Sequence, residues 1–98
     1  MKYSVRFPTE SVQKKFRKAL ESISSSKIQD EIMEAIEQLA DGPRPLGEPK
    51  IKPPLIVYQF TAQYRLRVGN YRILYDVDDK RKIVLILDVR KRDESTYQ

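Results

Sequence analysis

The sequence predicts an α+β fold: elements ordered β-α-α-β-β-β, with a small, mostly antiparallel sheet and a helical hairpin packed on one of its faces. Three observations point there. Apolar residues recur at helical spacing in two stretches between residues 12 and 39. They alternate cleanly after residue 57. A Gly69-Asn70 pair then interrupts the alternation where a two-residue hairpin loop belongs. The 98 residues are read as one domain, 1–98.

The elements follow in order. "KYSVRF" (residues 2–7) alternates and is rich in β-formers, and Pro8 closes it. Thr9 is placed to cap a helix whose apolar stripe is Val12, Phe16, Ala19, Leu20 and Ile23, with "QKKFRK" giving it a basic outer face. Ser24–Ser26 break this helix and offer the next cap. A second stripe follows at Ile28, Ile32, Ala35, Ile36 and Leu39, with Asp30, Glu31, Glu34 and Glu37 outside it, and Gly42-Pro43 ends it. "GPRPLGEPKIKPP" holds five of the six prolines and is read as a connecting loop. From Val57 to Val68 one strand is expected, with Tyr58, Phe60, Ala62, Tyr64, Leu66 and Val68 on one face. "YRILYDV" answers it across the turn. "IVLILDV" is a near-continuous apolar run, which predicts an interior strand with the first strand beside it.

Composition excludes several chemistries. There is no cysteine, which rules out disulfides and thiolate zinc sites and fits a reducing cytoplasm. The N-terminus meets charge and proline too early for a signal peptide, and no apolar run is long enough for a membrane span. There is no histidine either, so Ser-His-Asp and Cys-His nucleophile systems, histidine zinc sites and paired-histidine ribonuclease chemistry are all excluded. No metal or cofactor is expected, and any catalysis falls to Arg, Lys, Tyr or carboxylates. The net charge of +5 is uneven: residues 1–50 carry nine Lys/Arg against eight Asp/Glu, and residues 51–98 ten against six. The basic half favours a polyanion or an acidic protein, unless the charge serves solubility alone.

The candidate site lies on the hairpin. With Gly69-Asn70 as loop, Val68 faces Tyr71, Arg67 faces Arg72, Leu66 faces Ile73 and Tyr64 faces Tyr75. Both apolar sets then meet the helices, and a slip of one residue would invert one strand. Arg67 and Arg72 oppose each other on the far face with Arg65 beside them. Like charges across strands are unfavourable. Either the side chains splay into solvent, or they converge on an anion such as phosphate. "DVRKR" brings more charge: with Ile83, Leu85, Leu87 and Val89 on the helix face, Asp88, Arg90 and Arg92 share the arginine face, and Asp88 lies near Arg72. Tyr97 stands beyond, an aromatic that can stack on a base. Tyr71 and Lys91 complete the set of RNA-binding candidates with Arg90.

"KYSVRF", the helical hairpin, "YRLRVGNYRILYDV", "KIVLILDVRKR" and Tyr97 together resemble the RelE/ParE superfamily of type II toxin–antitoxin toxins, in its RelE-like branch. The resemblance implies an enzyme that enters the ribosomal A site and cleaves messenger RNA without metal, the messenger's own 2′-OH attacking the adjacent phosphate. It also implies a cognate antitoxin as partner. Catalytic positions carried over are Arg65 and Arg67 as the basic pair, Arg72 on the scissile phosphate, Arg92 in the leaving-group role and Tyr97 as the stacking ring. Where the family carries lysines at the pair, this chain has arginines, which are poor proton acceptors. Arg65 and Arg67 are therefore cast as stabilisers of the charged transition state, and the base is left between Tyr71 and Tyr97. A ParE-like inhibitor of DNA gyrase and a non-enzymatic RNA- or protein-binding domain of the same shape are the alternatives.

Overall fold

The computed structural model describes residues 2–45 and 50–91; Arg92 and Tyr97 lie outside the described residues. The chain runs β1 (Ser4–Arg6), α1 (Glu10–Glu21), α2 (Ser26–Gln38), β2 (Lys50–Val57), β3 (Phe60–Val68), β4 (Tyr71–Asp78) and β5 (Ile83–Lys91). The five strands form one sheet in the order β1-β5-β4-β3-β2. β1 is parallel to β5 and the other pairings are antiparallel. The apolar run at β5 is thus interior, with the first strand along its edge, as its composition implied.

Both helix starts are capped as the sequence predicts. Thr9 Oγ1 accepts from the Val12 N–H at 3.1 Å, and Ser25 Oγ accepts from the Ile28 N–H at 3.2 Å. The two apolar stripes meet on one side of the sheet, where Phe16, Ile32, Ile36 and Leu39 pack with Tyr64, Ile73, Tyr75, Val84, Ile86 and Val89. Gly69, at φ +58°, supplies the left-handed residue that turns β3 into β4, and the hairpin register is the expected one from Tyr64↔Tyr75 to Val68↔Tyr71.

The structure corrects the sequence reading in three places. First, residues 50–54, read as the end of the connecting loop, are strand: they belong to edge strand β2, whose pairing with β3 slips between Lys50 and Leu55. Pro53 and Pro54 fall inside that irregular stretch of an outer strand, where missing N–H groups cost no ladder bonds. Second, Val57–Val68 is two strands joined at Tyr58-Gln59, which take φ 50° and 77°. Val57 pairs with Phe60, so both belong to one face. They join Ile51, Ala62, Leu74 and Leu87 in a second, smaller apolar cluster, which removes Phe60 and Ala62 from the helix-side set.

The third correction concerns β5. Ile83 pairs with Asp78 and Ile86 with Tyr75, so Val84 and Ile86, not Ile83 and Leu85, lie in the helix-side core. Tyr75 pairs with Ile86 while the next residue back, Leu74, pairs with Asp88. Leu87 is the extra residue of a β-bulge and belongs to the second cluster rather than the helix face. The bulge restores the phase beyond it: Val89 is in the helix-side core, and Asp88 and Arg90 fall on the far face as expected.

Candidate nucleic-acid interface

Cross-strand partners share a face, so the registers define what the far side of the sheet presents. Arg67 on β3 pairs with Arg72 on β4, and Arg72 pairs with Arg90 on β5. Three guanidinium side chains therefore form one row across three adjacent strands, at the ~4.8 Å interstrand spacing. The next row is Arg65, Leu74 and Asp88. Beyond it Gln63 Nε2 donates to Asp76 Oδ1 at 3.0 Å. Leu74 and Leu87, both buried, give this face an apolar floor.

Asp88 is the one charged residue buried among those described, at 7% exposure. Its Oδ1 accepts from the Val89 N–H at 2.9 Å, and its Oδ2 accepts from Arg90 Nε at 2.9 Å. From the sequence Asp88 is expected near Arg72; the ion pair seen at Asp88 is with Arg90, two residues along its own strand. This pairing fixes the root of the Arg90 guanidinium while half of that side chain stays open to solvent. Arg67 is exposed, and Arg65 and Arg72 are half-buried. Such a row sets planar, permanently charged donors side by side, the kind of group that binds phosphate oxygens.

The structure brings together Arg65, Arg67, Arg72 and Arg90. It does not bring Tyr71 and Lys91 to the same face. These two pair with each other and, with Ser22 and Ser24, line an open cleft of about 380 Å³ on the helix side. Arg92 and Tyr97 are outside the described residues. Among the described residues no three His, Cys, Asp or Glu side chains gather to hold a metal ion, and no helix is long and apolar enough to cross a membrane.

A polar network at the opposite end of the sheet went unread in the sequence. Arg44, from the proline-rich segment, donates to Asp79 Oδ1 and Oδ2 at 3.1 and 2.7 Å and to the Tyr64 hydroxyl at 3.1 Å. Tyr3 donates to the same carboxylate at 2.6 Å, and Tyr75, stacked on Tyr64, donates to the Pro43 carbonyl at 2.8 Å. The hydrogen bond from Arg44, then that from Tyr3, hold the Asp79 carboxyl down at about 2; burial pushes the Tyr75 phenol up. The network straps residues 43–45 to the sheet and so steadies the strands that carry the arginines. An arginine between two prolines was its only trace in the sequence.

Comparison with known proteins gives a consistent picture. A family model described as the ParE toxin of type II toxin–antitoxin system, parDE, matches residues 7–96. The chain is similar to a solved structure of the RelBE2 toxin–antitoxin complex from Mycobacterium tuberculosis, at 29% identity and TM-score 0.65, covering 94% of this chain and 100% of that one. It is similar to the archaeal RelE–RelB complex from Pyrococcus horikoshii, at 28% identity and TM-score 0.68, covering 96% and 99%. The intact E. coli RelBE complex shares the fold, at 20% identity and TM-score 0.58, covering 94% and 99%. A search of curated protein sequences returned no match.

Proposed function

Since the chain belongs to the RelE/ParE superfamily of type II toxin–antitoxin toxins, we propose that it is a ribosome-dependent messenger endonuclease of the RelE-like kind, acting in the A site. The observation that carries this reading is the row Arg67–Arg72–Arg90 with Arg65 beside it. Self-repelling cations set side by side are what a migrating phosphate charge requires, and the bound phosphate relieves their repulsion.

In the proposed reaction the 2′-oxygen of the messenger attacks the neighbouring phosphorus, and the bond to the 5′-oxygen of the next nucleotide breaks. The 2′-proton leaves to a base, the leaving oxygen gains a proton, and the products are a 2′,3′-cyclic phosphate and a 5′-hydroxyl. Arg65 and Arg67 stabilise the negative charge that builds on the non-bridging oxygens, and Arg72 binds the scissile phosphate from the centre of the row. Arg90, anchored by Asp88, contacts the flanking backbone. The leaving-group role is assigned to Arg92 and base stacking to Tyr97. A cognate antitoxin would cover this face, in keeping with the toxin–antitoxin complexes among the similar structures.

The test is cleavage on programmed ribosomes. Cuts within the A-site codon that persist in chelator, and that fall at least a hundredfold in Arg72→Ala of unchanged melting temperature, support the reading. The matched family model is described as a ParE toxin, which keeps open the ParE-like alternative, inhibition of DNA gyrase. Loss of supercoiling activity with messenger left intact would replace the first reading with that one. Neither effect, with RNA binding retained, would leave a non-enzymatic binding domain.

A further inference from the structure

The outer face of α1 carries Lys14, Lys15, Arg17 and Lys18, all exposed. At 100° per residue they fall on one side of the helix, away from buried Val12 and Phe16. Lys14 and Lys18 are four apart, Lys14 and Arg17 three apart, and Lys15 and Lys18 three apart, so each faces a like charge, an arrangement that destabilises a helix. Glu10 and Glu21 stand at the two ends of the stripe within helical reach, yet among the described residues none of the four cations forms an ion pair. Lys15 instead rests over the Tyr58 ring, 4.3 Å from its centroid.

The stripe cannot belong to the arginine row. α1 packs through Phe16 on the helix-side core, while Arg67, Arg72 and Arg90 occupy the far side of the sheet. The domain therefore shows two cationic faces directed away from each other. The helix face is poor in what a protein partner would need: its exposed positions are charged or Ser11, the one exposed large apolar residue beside it is Tyr58, under Lys15, and Met33, Leu55 and Ile56 lie on other elements. An interface between proteins is anchored by buried apolar or aromatic groups. A surface of four cations with a single aromatic at its edge matches a phosphate backbone, where affinity comes from charge and counterion release.

We infer that α1 is a second RNA-binding surface, which grips the phosphodiester backbone of a folded RNA through Lys14, Lys15, Arg17 and Lys18 while the arginine face holds a different strand. The inference stands apart from the cleavage reading, because it requires binding by α1 and no chemistry there.

The probe is a fluorescein-labelled RNA stem-loop, followed by anisotropy over a series of salt concentrations. The full chain is compared with Lys14→Gln/Lys18→Gln, which keeps the Lys15–Tyr58 contact, and with Lys14→Gln/Lys15→Gln/Lys18→Gln. Lys50→Gln/Lys52→Gln removes two exposed cations elsewhere and is the control for charge alone. The helix double variant is expected to bind at least tenfold more weakly at 0.1 M salt, with a log–log salt slope shallower by about 2; the triple variant's should be shallower by about 3. The control should lose much less. An equal loss in the control, or an unchanged slope in the helix variants, overturns the inference. So does retained RNA binding with lost affinity for an acidic protein partner. Cleavage on ribosomes is scored separately: a chain that cuts normally with α1 neutralised and binds RNA as before sinks this inference alone. One that needs α1 for RNA but never cuts sinks the endonuclease reading alone.

Discussion

Replacing Arg67 by Gln should make the fold more stable and the toxin inactive. Arg67 pairs directly with Arg72, and because it is exposed the medium around it is close to water. Two unit charges ~5 Å apart repel by about 0.8 kcal/mol at that dielectric. Screening at 0.1 M salt, with a Debye length near 10 Å, leaves about 0.5 kcal/mol, and 1 M salt leaves under about 0.2 kcal/mol. For a domain of this size the first figure corresponds to a rise in Tm of roughly 2–4 °C. The assay is thermal unfolding at both salt concentrations beside Arg67→Lys, which keeps the charge and should gain little. The gain for Gln should shrink by more than half in 1 M salt, and ribosome-dependent cleavage should be lost. If Tm falls at low salt, the row is not repulsive and the geometry has been misjudged. If Tm rises and cleavage survives, the row is not the phosphate site.

Two further outcomes follow from the strained and the ionised groups. Gln59 holds φ 77° with an exposed side chain, so Gln59→Gly should raise stability by about 0.5–1 kcal/mol, seen as a higher urea midpoint at unchanged slope; a lower midpoint would show that the side chain matters more than the backbone. The Asp79 carboxyl titrates at about 2, below its ordinary 3.8. A depressed folded-state pKa contributes stability that is full above pH ~4 and lost as pH falls toward 2. Asp79→Asn should therefore melt lower than the parent at pH 7, with the gap closing between pH 4 and 2; a gap constant over that range would remove Asp79 from the acid response.

The parts of the fold that were legible are those whose signal is local. Helix stripes, the Thr9 and Ser25 caps and the Gly69-Asn70 turn each need only a few neighbouring residues to declare themselves. β2 was hidden because prolines speak against a strand, and only the sheet order reveals that this one is an edge that tolerates them. The Tyr58-Gln59 turn was hidden because it contains no Gly, Asn or Asp, and alternation reads straight through a loop of two residues. In the site, Arg65, Arg67 and Arg72 were legible for the same reason as the hairpin: one turn fixes their register.

Arg90 was placed on the arginine face by a strand phase that holds only beyond Leu87, and its position shows how the site is built. Counted from the Asp78↔Ile83 pair, a regular β5 would set Leu87 and Val89 on the arginine face and turn Asp88 and Arg90 toward the helices. "IVLILDV" is apolar at nearly every position, so nothing in it marks the phase. The extra residue at Leu87 reverses that phase: Leu87 drops into the second apolar cluster, and Asp88 and Arg90 emerge beside Arg72. The third guanidinium of the row is thus delivered by a bulge, with a buried leucine holding the bulge in place and a buried aspartate orienting the arginine. Leu87→Ala tests this dependence. It should cost about 2–5 kcal/mol through the cavity it opens, and cleavage at a temperature where the variant is fully folded should fall with the loosened Arg90. Full activity in the folded variant would mean that the row does not rely on the bulge.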